Sequence, residues 1–331
     1  MTVASTVMLV SCAAAPETES HDAAARVPED RMAQLESVRL HYLDWGGEGD
    51  LILFVPGVTA TAHVWDAVAP HFVDDYRVIA VTRREHGASE ATGRPFDLDT
   101  LADDLAQVIE QFSEGPAIVV GHSYAGLELP RLYRRHPEKV QALVFVDALY
   151  GSPWDGQGPP GAPGFGPFDS VYQSLSEPVA WFREMYPGIS PELASHYVES
   201  QLYPDSVGQL RLRVPVPSQL LDQFLSLKST WSPSDYAGIE VPVLAIRAAQ
   251  ARYFAANLRA RGFPQDSIDV AVRWAREVDD VQKRRTTEAL LEGVPAAVSV
   301  VLDSTSHALP LDRSDVVTNL IREFLERNLL R

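Results

Sequence analysis

Short uninterrupted apolar runs alternate along this chain with stretches in which apolar residues recur every three or four positions. Leu51-Ile52-Leu53-Phe54-Val55, Arg77-Val78-Ile79-Ala80-Val81, Ala117-Ile118-Val119-Val120, Ala142-Leu143-Val144-Phe145-Val146, Val241 to Ile246 and Ala297 to Leu302 are runs of the first kind. Runs of that length read as strands, and the first, which ends in Pro56-Gly57, as one buried on both faces. Val38-Arg39-Leu40-His41-Tyr42 alternates instead and reads as an early antiparallel strand. Between the second and third runs, Leu101, Leu105, Val108, Ile109 and Phe112 recur at helical spacing, with Asp97 or Asp99 as cap. Val316, Val317, Leu320, Ile321, Phe324 and Leu325 mark a closing helix. This alternation predicts an α/β fold: a mostly parallel, doubly wound sheet with helices on both faces and right-handed crossovers.

The pattern breaks between residues 148 and 240. Gly151 to Pro167 is dense in Gly and Pro, and amphipathic segments carrying Trp181, Tyr186, Tyr197, Leu220, Phe224 and Trp231 follow. An insertion of that length between two core strands reads as a mainly helical cap over the carboxyl edge of the sheet, leaving 37–147 and 241–331 as the core. Residues 1–12 carry no charged side chain and end in Leu9-Val10-Ser11-Cys12. This resembles the lipobox of bacterial lipoproteins, which implies lipidation at Cys12, a membrane anchor and a cell-envelope or secreted location. The basic n-region of a secretory signal is missing, so a disordered apolar terminus is the competing reading. Residues 13–36, rich in Ala, Glu, Asp and Pro, read as a flexible tether.

The net charge of −17, from 45 acidic and 28 basic residues among 331, argues against nucleic acid as a partner. With Cys12 as the single cysteine, no intrachain disulfide and no thiolate metal cluster can form. No nucleotide, flavin or metal spacing is present, so no cofactor is expected.

Candidate chemistry centres on Ser123 in Gly121-His122-Ser123-Tyr124-Ala125-Gly126, directly after an apolar run and before a helix. A serine on a tight strand-to-helix turn needs small neighbours two residues away on each side, and Gly121 and Ala125 supply them. A hydroxyl is a poor nucleophile until a base takes its proton. Of the nine histidines His307 is the best placed, in a loop directly after the last strand, where it would lie over the same sheet edge.

Pro56-Gly57-Val58, Arg83-Arg84-Glu85-His86-Gly87-Ala88-Ser89, Gly121 to Gly126, Val146-Asp147-Ala148 and Ser306-His307 together resemble the α/β-hydrolase superfamily over about residues 37 to 328. The resemblance implies a Ser-acid-His triad and an oxyanion hole made by the backbone amides of Val58 and Tyr124. The superfamily usually places its acid after the strand that begins near Val241, where this chain has Ala251. Haloalkane dehalogenases carry it at the end of the preceding strand, and Asp147 looks like that arrangement. Asp303 is the alternative acid if Asp147 only caps the next segment. Two other departures are Glu85, where glycine is common, and Pro130 inside the helix after Ser123.

Serine in place of aspartate disfavours dehalogenase and epoxide-hydrolase chemistry and points to acyl transfer on a small-molecule carboxylic ester. Pro56, His122, Tyr150, Trp154, Trp181 and Trp231 are candidate substrate-binding residues, although the position of His122 beside the nucleophile turns its ring into the fold. Lactonase, amidase or aminopeptidase, and C–C bond hydrolase readings use the same triad. An aminopeptidase would need a carboxylate cluster in the cap, with Glu177, Glu184, Glu192 and Glu199 available. A non-catalytic binding protein on the same scaffold is the reading from a different class.

Overall fold

The apolar runs become the inner strands of one nine-stranded sheet in a computed structural model that describes residues 6–10, 27–93, 96–149, 171–212, 226–227 and 230–329. Its strands are β1 (Thr6–Val10), β2 (Glu29–Gln34), β3 (Arg39–Gly46), β4 (Leu51–Val55), β5 (Arg77–Val81), β6 (Ala117–His122), β7 (Val140–Val146), β10 (Val243–Ala249) and β11 (Val298–Asp303). β8 (Leu202–Pro204) and β9 (Leu210–Leu212) form a separate antiparallel pair. The order across the large sheet is β1-β11-β10-β7-β6-β4-β5-β3-β2, parallel from β1 to β5 and antiparallel at β3 and β2.

The central strands look uniformly apolar because both of their faces are covered. Ile52, Phe54, Ile118, Val120, Val144, Val146 and Ile246 point into one core, while Leu51, Leu53, Val55, Val119, Leu143, Phe145 and Ala245 point into the other. The second core is closed by α1 (Leu98–Phe112), α2 (Ala125–Arg135) and α7 (Asp280–Gly293). The first is closed by α8 (Ser314–Asn328) and by the segment around Trp65 and Phe72. Asp97 caps α1 by accepting from the Thr100 amide at 2.8 Å, as the sequence predicts.

Several expectations change. The tether assigned to residues 13–36 contains β2, which pairs antiparallel with β3. Only Ala33 of that strand is buried, so no apolar period advertises it. Thr6–Val10, inside the segment that resembles a lipoprotein signal, lies as an edge strand parallel to β11, and Cys12 falls outside the described residues. Pro242 precedes β10, which runs on to Ala249 rather than ending at Ile246.

The insertion contributes α3 (Ser176–Met185), α4 (Pro191–Ser200) and the β8–β9 pair among its described residues. It has no separate core there, since Tyr172, Phe182, Ile189, Ala194, Val198 and Leu202 belong to the first core of the sheet. A second excursion lies between β10 and β11, built from α5 (Ala251–Ala260), α6 (Gln265–Trp274), a wide π-type turn at Ala275–Asp279 and α7. Leu258, Ile268 and Ala271 form a small satellite core of their own within it.

Helix α2 runs through Pro130, whose ring replaces the N–H that would have bonded the Gly126 carbonyl. At Gly126 itself the helix lies flat on the chain leaving β7, so that an added Cβ would sit 1.6 Å from the Ala148 carbonyl oxygen. Gly126→Ala is therefore expected to destabilise the protein by about 3 kcal/mol or more, whereas Gly115→Ala, with nothing within 4 Å of its Cβ, leaves stability unchanged. Urea unfolding of the two variants measures the difference, and equal midpoints would contradict the packing.

His86 and His122 are buried, and burial first, then the nearby charge of Arg83 or His307, pushes each ring down from the ordinary 6.5 to about 3. Between those values the unfolded chain binds two protons that the folded chain refuses. His71 adds to this effect through its own burial, while His196, raised by its bond to Asp66, opposes it. Stability is accordingly full above about pH 6.5 and falls below it, by about 1.4 kcal/mol per pH unit for each net proton. Urea midpoints taken from pH 7.5 down to 4.5 should decline below pH 6.5, and a flat series would overturn this account.

Candidate active site

Parallel strands deliver their carboxyl ends to one edge, and the chain turns sharply there. Five non-glycine residues have positive φ: Thr59 (61°), Glu85 (62°), Ser123 (54°), Asp147 (41°) and Ser304 (61°). They follow β4, β5, β6, β7 and β11, so every such strained position among the described residues lies in a loop that leaves this edge. Glu85 takes the backbone that suits glycine and spends its side chain on the same turn, its carboxylate accepting from the Thr92 amide at 2.6 Å and the Thr92 hydroxyl at 2.5 Å.

The turn at Ser123 is fixed by its own amide, which donates to the Val146 carbonyl at 3.3 Å, and by its carbonyl, which accepts from Gly126 at 2.9 Å. An added Cβ at Gly121 would meet Ala125 at 2.8 Å and Leu129 at 2.9 Å, which gives the small flanking residues their reason. Ser123 Oγ stands 2.8 Å from His307 Nε2, and His307 Nδ1 stands 2.6 Å from Asp147 Oδ2. The His307 loop is held by Asp312, whose Oδ2 accepts from the Ser306 amide at 3.2 Å and from its hydroxyl. It is held also by His122, whose Nε2 lies 2.8 Å from the His307 carbonyl oxygen with the two rings 4.9 Å apart. A ring kept neutral by burial donates to that carbonyl, so His122 supports the histidine loop rather than facing a substrate.

Asp147 is buried and has three donors. Its Oδ1 accepts from the Ala248 amide at 2.9 Å, and its Oδ2 accepts from both His307 and Lys283, the latter at 2.9 Å. Burial alone would push this carboxyl up, but the Lys283 charge, the His307 bond and the Ala248 amide outweigh it and hold it well below the usual carboxylate range. Lys283, on α7, is itself buried and is held protonated against its desolvation by Asp147 and by Asp279, 3.2 Å away. The alternative acid, Asp303, is a third exposed and paired with Arg252 at 2.6 Å. Ala251, at the usual acid position, simply opens α5.

The loop after β4 lies directly over the serine. A Cβ at Gly57 would stand 2.9 Å from Ser123 Cβ, so only glycine permits this approach. Arg83 holds the loop in place, donating from Nη2 to the Pro56 carbonyl at 2.8 Å and from Nη1 to the Gly57 carbonyl at 3.0 Å. It also pairs with buried Glu128 at 2.7 Å and stacks its guanidinium 4.9 Å from the Tyr124 ring centroid. The Val58 amide has no acceptor among the described residues. Val58 and Tyr124 side chains share one apolar cluster with Phe96, Leu101, Leu127, Leu227 and Trp231.

The remaining sequence candidates divide. Trp231 belongs to that cluster, Trp181 packs half-buried against the first core, and Pro56 is buried in the loop that Arg83 grips. Tyr150 and Trp154 lie outside the described residues. Sequence reasoning missed Lys283 and Asp279, because Asp279-Asp280 followed by Lys283-Arg284-Arg285 reads as an ordinary solvated helix face. It carried Arg83 only as part of a motif and did not foresee its grip on the loop.

Residues 50–277 match the sequence profile described as the alpha/beta hydrolase fold. The chain is 32% identical over 101 residues to a 2-(acetamidomethylene)succinate hydrolase of Mesorhizobium japonicum, a stretch covering 30% of this chain and 36% of the relative. It is 34% identical over 117 residues to a bifunctional esterase/perhydrolase of Acinetobacter calcoaceticus, covering 34% and 42% respectively, and 31% identical over 119 residues to an epoxide hydrolase of Caenorhabditis elegans, covering 35% and 30%. Each match spans less than half of the relative's length. Among solved structures, E-2-(acetamidomethylene)succinate hydrolase superposes with a TM-score of 0.67 at 19% identity over 90% of this chain and 99% of that one. The thioesterase domain from the curacin biosynthetic pathway does so with 0.67 at 17% identity over 89% and 99%. At such identities these two establish shared architecture alone. Since the matching profile takes in more than half of the sequence, and with it the sheet edge that carries Ser123, this chain belongs to the alpha/beta hydrolase fold family.

Proposed function

We propose that this protein is a serine hydrolase that cleaves carboxylic esters of small to medium apolar substrates through an acyl-enzyme. The observation that carries the reading is the unbroken line from Ser123 Oγ through His307 to buried Asp147, with contacts of 2.8 and 2.6 Å. His307 Nε2 takes the Ser123 proton as Oγ attacks the ester carbonyl carbon, and Asp147 holds the ring in the tautomer with its proton on Nδ1. The carbonyl oxygen becomes an oxyanion held by the Val58 and Tyr124 amides, each donor of this kind being worth about 3 kcal/mol. His307 then gives its proton to the leaving alkoxide. Water attacks the acyl-enzyme with His307 as base, which frees the acid and restores Ser123.

The apolar cluster around Val58, Tyr124 and Trp231 supports an apolar acyl or alcohol group beside the oxyanion donors. Arg83 and Lys283 are engaged with Glu128 and with Asp147 and Asp279, which weighs against either of them receiving a substrate carboxylate. Glu177, Glu184, Glu192 and Glu199 are all exposed, which supports a solvated face and weighs against an aminopeptidase's amine-binding cluster. The epoxide hydrolase among the relatives does not extend to this chain, since opening an epoxide in this fold calls for a carboxylate where Ser123 stands.

Ser123→Ala should lose p-nitrophenyl ester turnover by several orders of magnitude. The wild type should prefer short and medium acyl chains over amino-acid anilides and lactones. Equal turnover in the mutant would sink the proposal. Asp147→Asn should lower kcat by about four orders of magnitude, while Asp303→Asn stays within a few-fold.

Lys283 is read as a positioning residue that shares Asp147 Oδ2 with the imidazole and so weakens the negative field felt at His307. Lys283→Met combined with Asp279→Asn removes the ammonium without leaving the Asp279 carboxylate buried and unpaired, while Asp147 keeps His307 and the Ala248 amide. Its expected effect is to lower kcat by about tenfold while KM stays within a few-fold, since only the placement of the imidazole is disturbed. A purely structural lysine would lower Tm and leave kcat per folded molecule unchanged.

A further inference from the structure

A second group of chemically capable side chains sits where the insertion meets the core. His63 and Asp66 lie three residues apart on the short turn that follows the loop over Ser123, and His196 projects from α4 of the insertion. His63 Nδ1 and His196 Nε2 both approach the same atom, Asp66 Oδ2, at 3.0 and 3.1 Å. The two rings stand edge to face with centroids 4.9 Å apart. One ligand atom from each of the three residues falls within 4.8 Å of the other two.

Asp66 is the anomaly. Its side chain is 12% exposed, one oxygen receives two imidazoles, and the other, Oδ1, is buried with no hydrogen-bond partner. A buried carboxylate with one oxygen short of a donor is unfavourable, and a cation on its other oxygen would offset that cost by neutralising the charge. We infer that His63, Asp66 and His196 form a binding site for a divalent transition metal of the Zn2+ or Co2+ class, which ties α4 to the loop above Ser123.

Two imidazole nitrogens and a carboxylate oxygen suit zinc, cobalt or nickel rather than calcium or magnesium, which prefer oxygen alone. Ligand atoms about 2.0–2.1 Å from a tetrahedral ion stand roughly 3.3 Å from one another. The two nitrogen-to-oxygen edges already come close to that spacing. The remaining edge closes by rotation of His196, whose side chain is 57% exposed and so meets little steric resistance. Water completes the fourth position. His41 and Asp30 form a neighbouring triple with His63, but its carboxylate, Asp30, is 70% exposed on the edge strand β2, whereas that of Asp66 is largely buried.

An ion at this place acts on a junction that the protein already stitches by weaker bonds. Gln201 donates to Thr61 Oγ1 at 3.0 Å, and the Ser200 hydroxyl lies 3.2 Å from the same atom. Trp65, one residue before Asp66, stands edge-on to His122, the ring that supports the His307 loop. Sequence spacing alone hides the site, because His196 is supplied by a segment far along the chain from His63 and Asp66.

Tag-free, chelator-treated full-length protein is titrated with Co2+ and Zn2+, and binding is read by the visible Co2+ spectrum, by calorimetry and by thermal unfolding. One ion should bind per chain, Zn2+ should displace Co2+, and saturating Zn2+ should raise Tm. His196→Ala, an exposed change that leaves the core intact, should weaken binding at least about tenfold and abolish the Tm shift. His63→Ala should do the same, while His136→Ala, in another histidine–carboxylate pair, leaves binding unchanged. Absence of stoichiometric binding at millimolar metal, or binding equally strong in His196→Ala and His63→Ala, overturns the inference and leaves a hydrogen-bonded junction only. Because the spectrum and the thermal shift need no turnover, failure of the esterase reading would leave this result untouched.

Discussion

One carboxylate oxygen, Asp147 Oδ2, is the point at which the site and the scaffold meet. It receives the imidazole from the loop after β11 and the ammonium from α7, while its sister oxygen receives the amide of Ala248 in β10. A carboxylate this buried would ordinarily give up its charge. Three donors from three elements keep it ionised, and each is fixed in place by needing the same anion. Loss of Asp147 would leave Lys283 beside Asp279 in a dry interior and take from His307 the carboxylate at its Nδ1. The charge pair is therefore weak evidence for stability but strong evidence for a constrained geometry.

The second constraint is backbone strain at the sheet edge. Left-handed conformations at Thr59, Glu85, Ser123, Asp147 and Ser304 are unfavourable for side-chain-bearing residues, typically by about 1–2 kcal/mol each. They persist because the two faces of the sheet are fully covered and the strands feeding these turns cannot yield. The strain is also what aims Ser123 and Asp147 out of their strands toward His307. Arg83 answers the same problem from the side, gripping two successive carbonyls of the loop over Ser123 while Glu128 neutralises it.

How much of this is legible in the sequence depends on whether a residue's signal is local. Ser123 shows in its small neighbours, His307 in its place after the last apolar run, and Asp147 in ending a strand when Ala251 leaves the usual position without a carboxylate. The central strands show because both their faces are buried. β2 does not, since a half-solvated edge strand with one buried residue carries no period. Lys283 and Asp279 are invisible for a different reason. Their residue types favour the surface, and only the three-dimensional approach of α7 to β10 and to the turn after β7 reveals a buried use. Pro130 stands out in the sequence as a departure inside the helix after Ser123, and α2 runs through it from Ala125 to Arg135.

The absence of a separate core in the described part of the insertion constrains how a substrate could enter. Phe182 and Tyr197, 5.1 Å apart, and Val198 and Leu202 are continuous with the core that also buries Trp65 and Val144. Swinging α3 and α4 away as a rigid lid would expose that shared surface at about 25 cal/mol for each Å² uncovered. Hydrogen bonds from Tyr253 and Asn257 on α5 to carbonyls at Met185 and Glu184 also hold α3. Rigid-body opening of this pair is therefore the expensive route. Under the proposed acyl-transfer reading, the smaller cluster of Phe96, Tyr124, Leu127 and Trp231 beside the loop over Ser123 is the apolar surface that a substrate would meet at least expense.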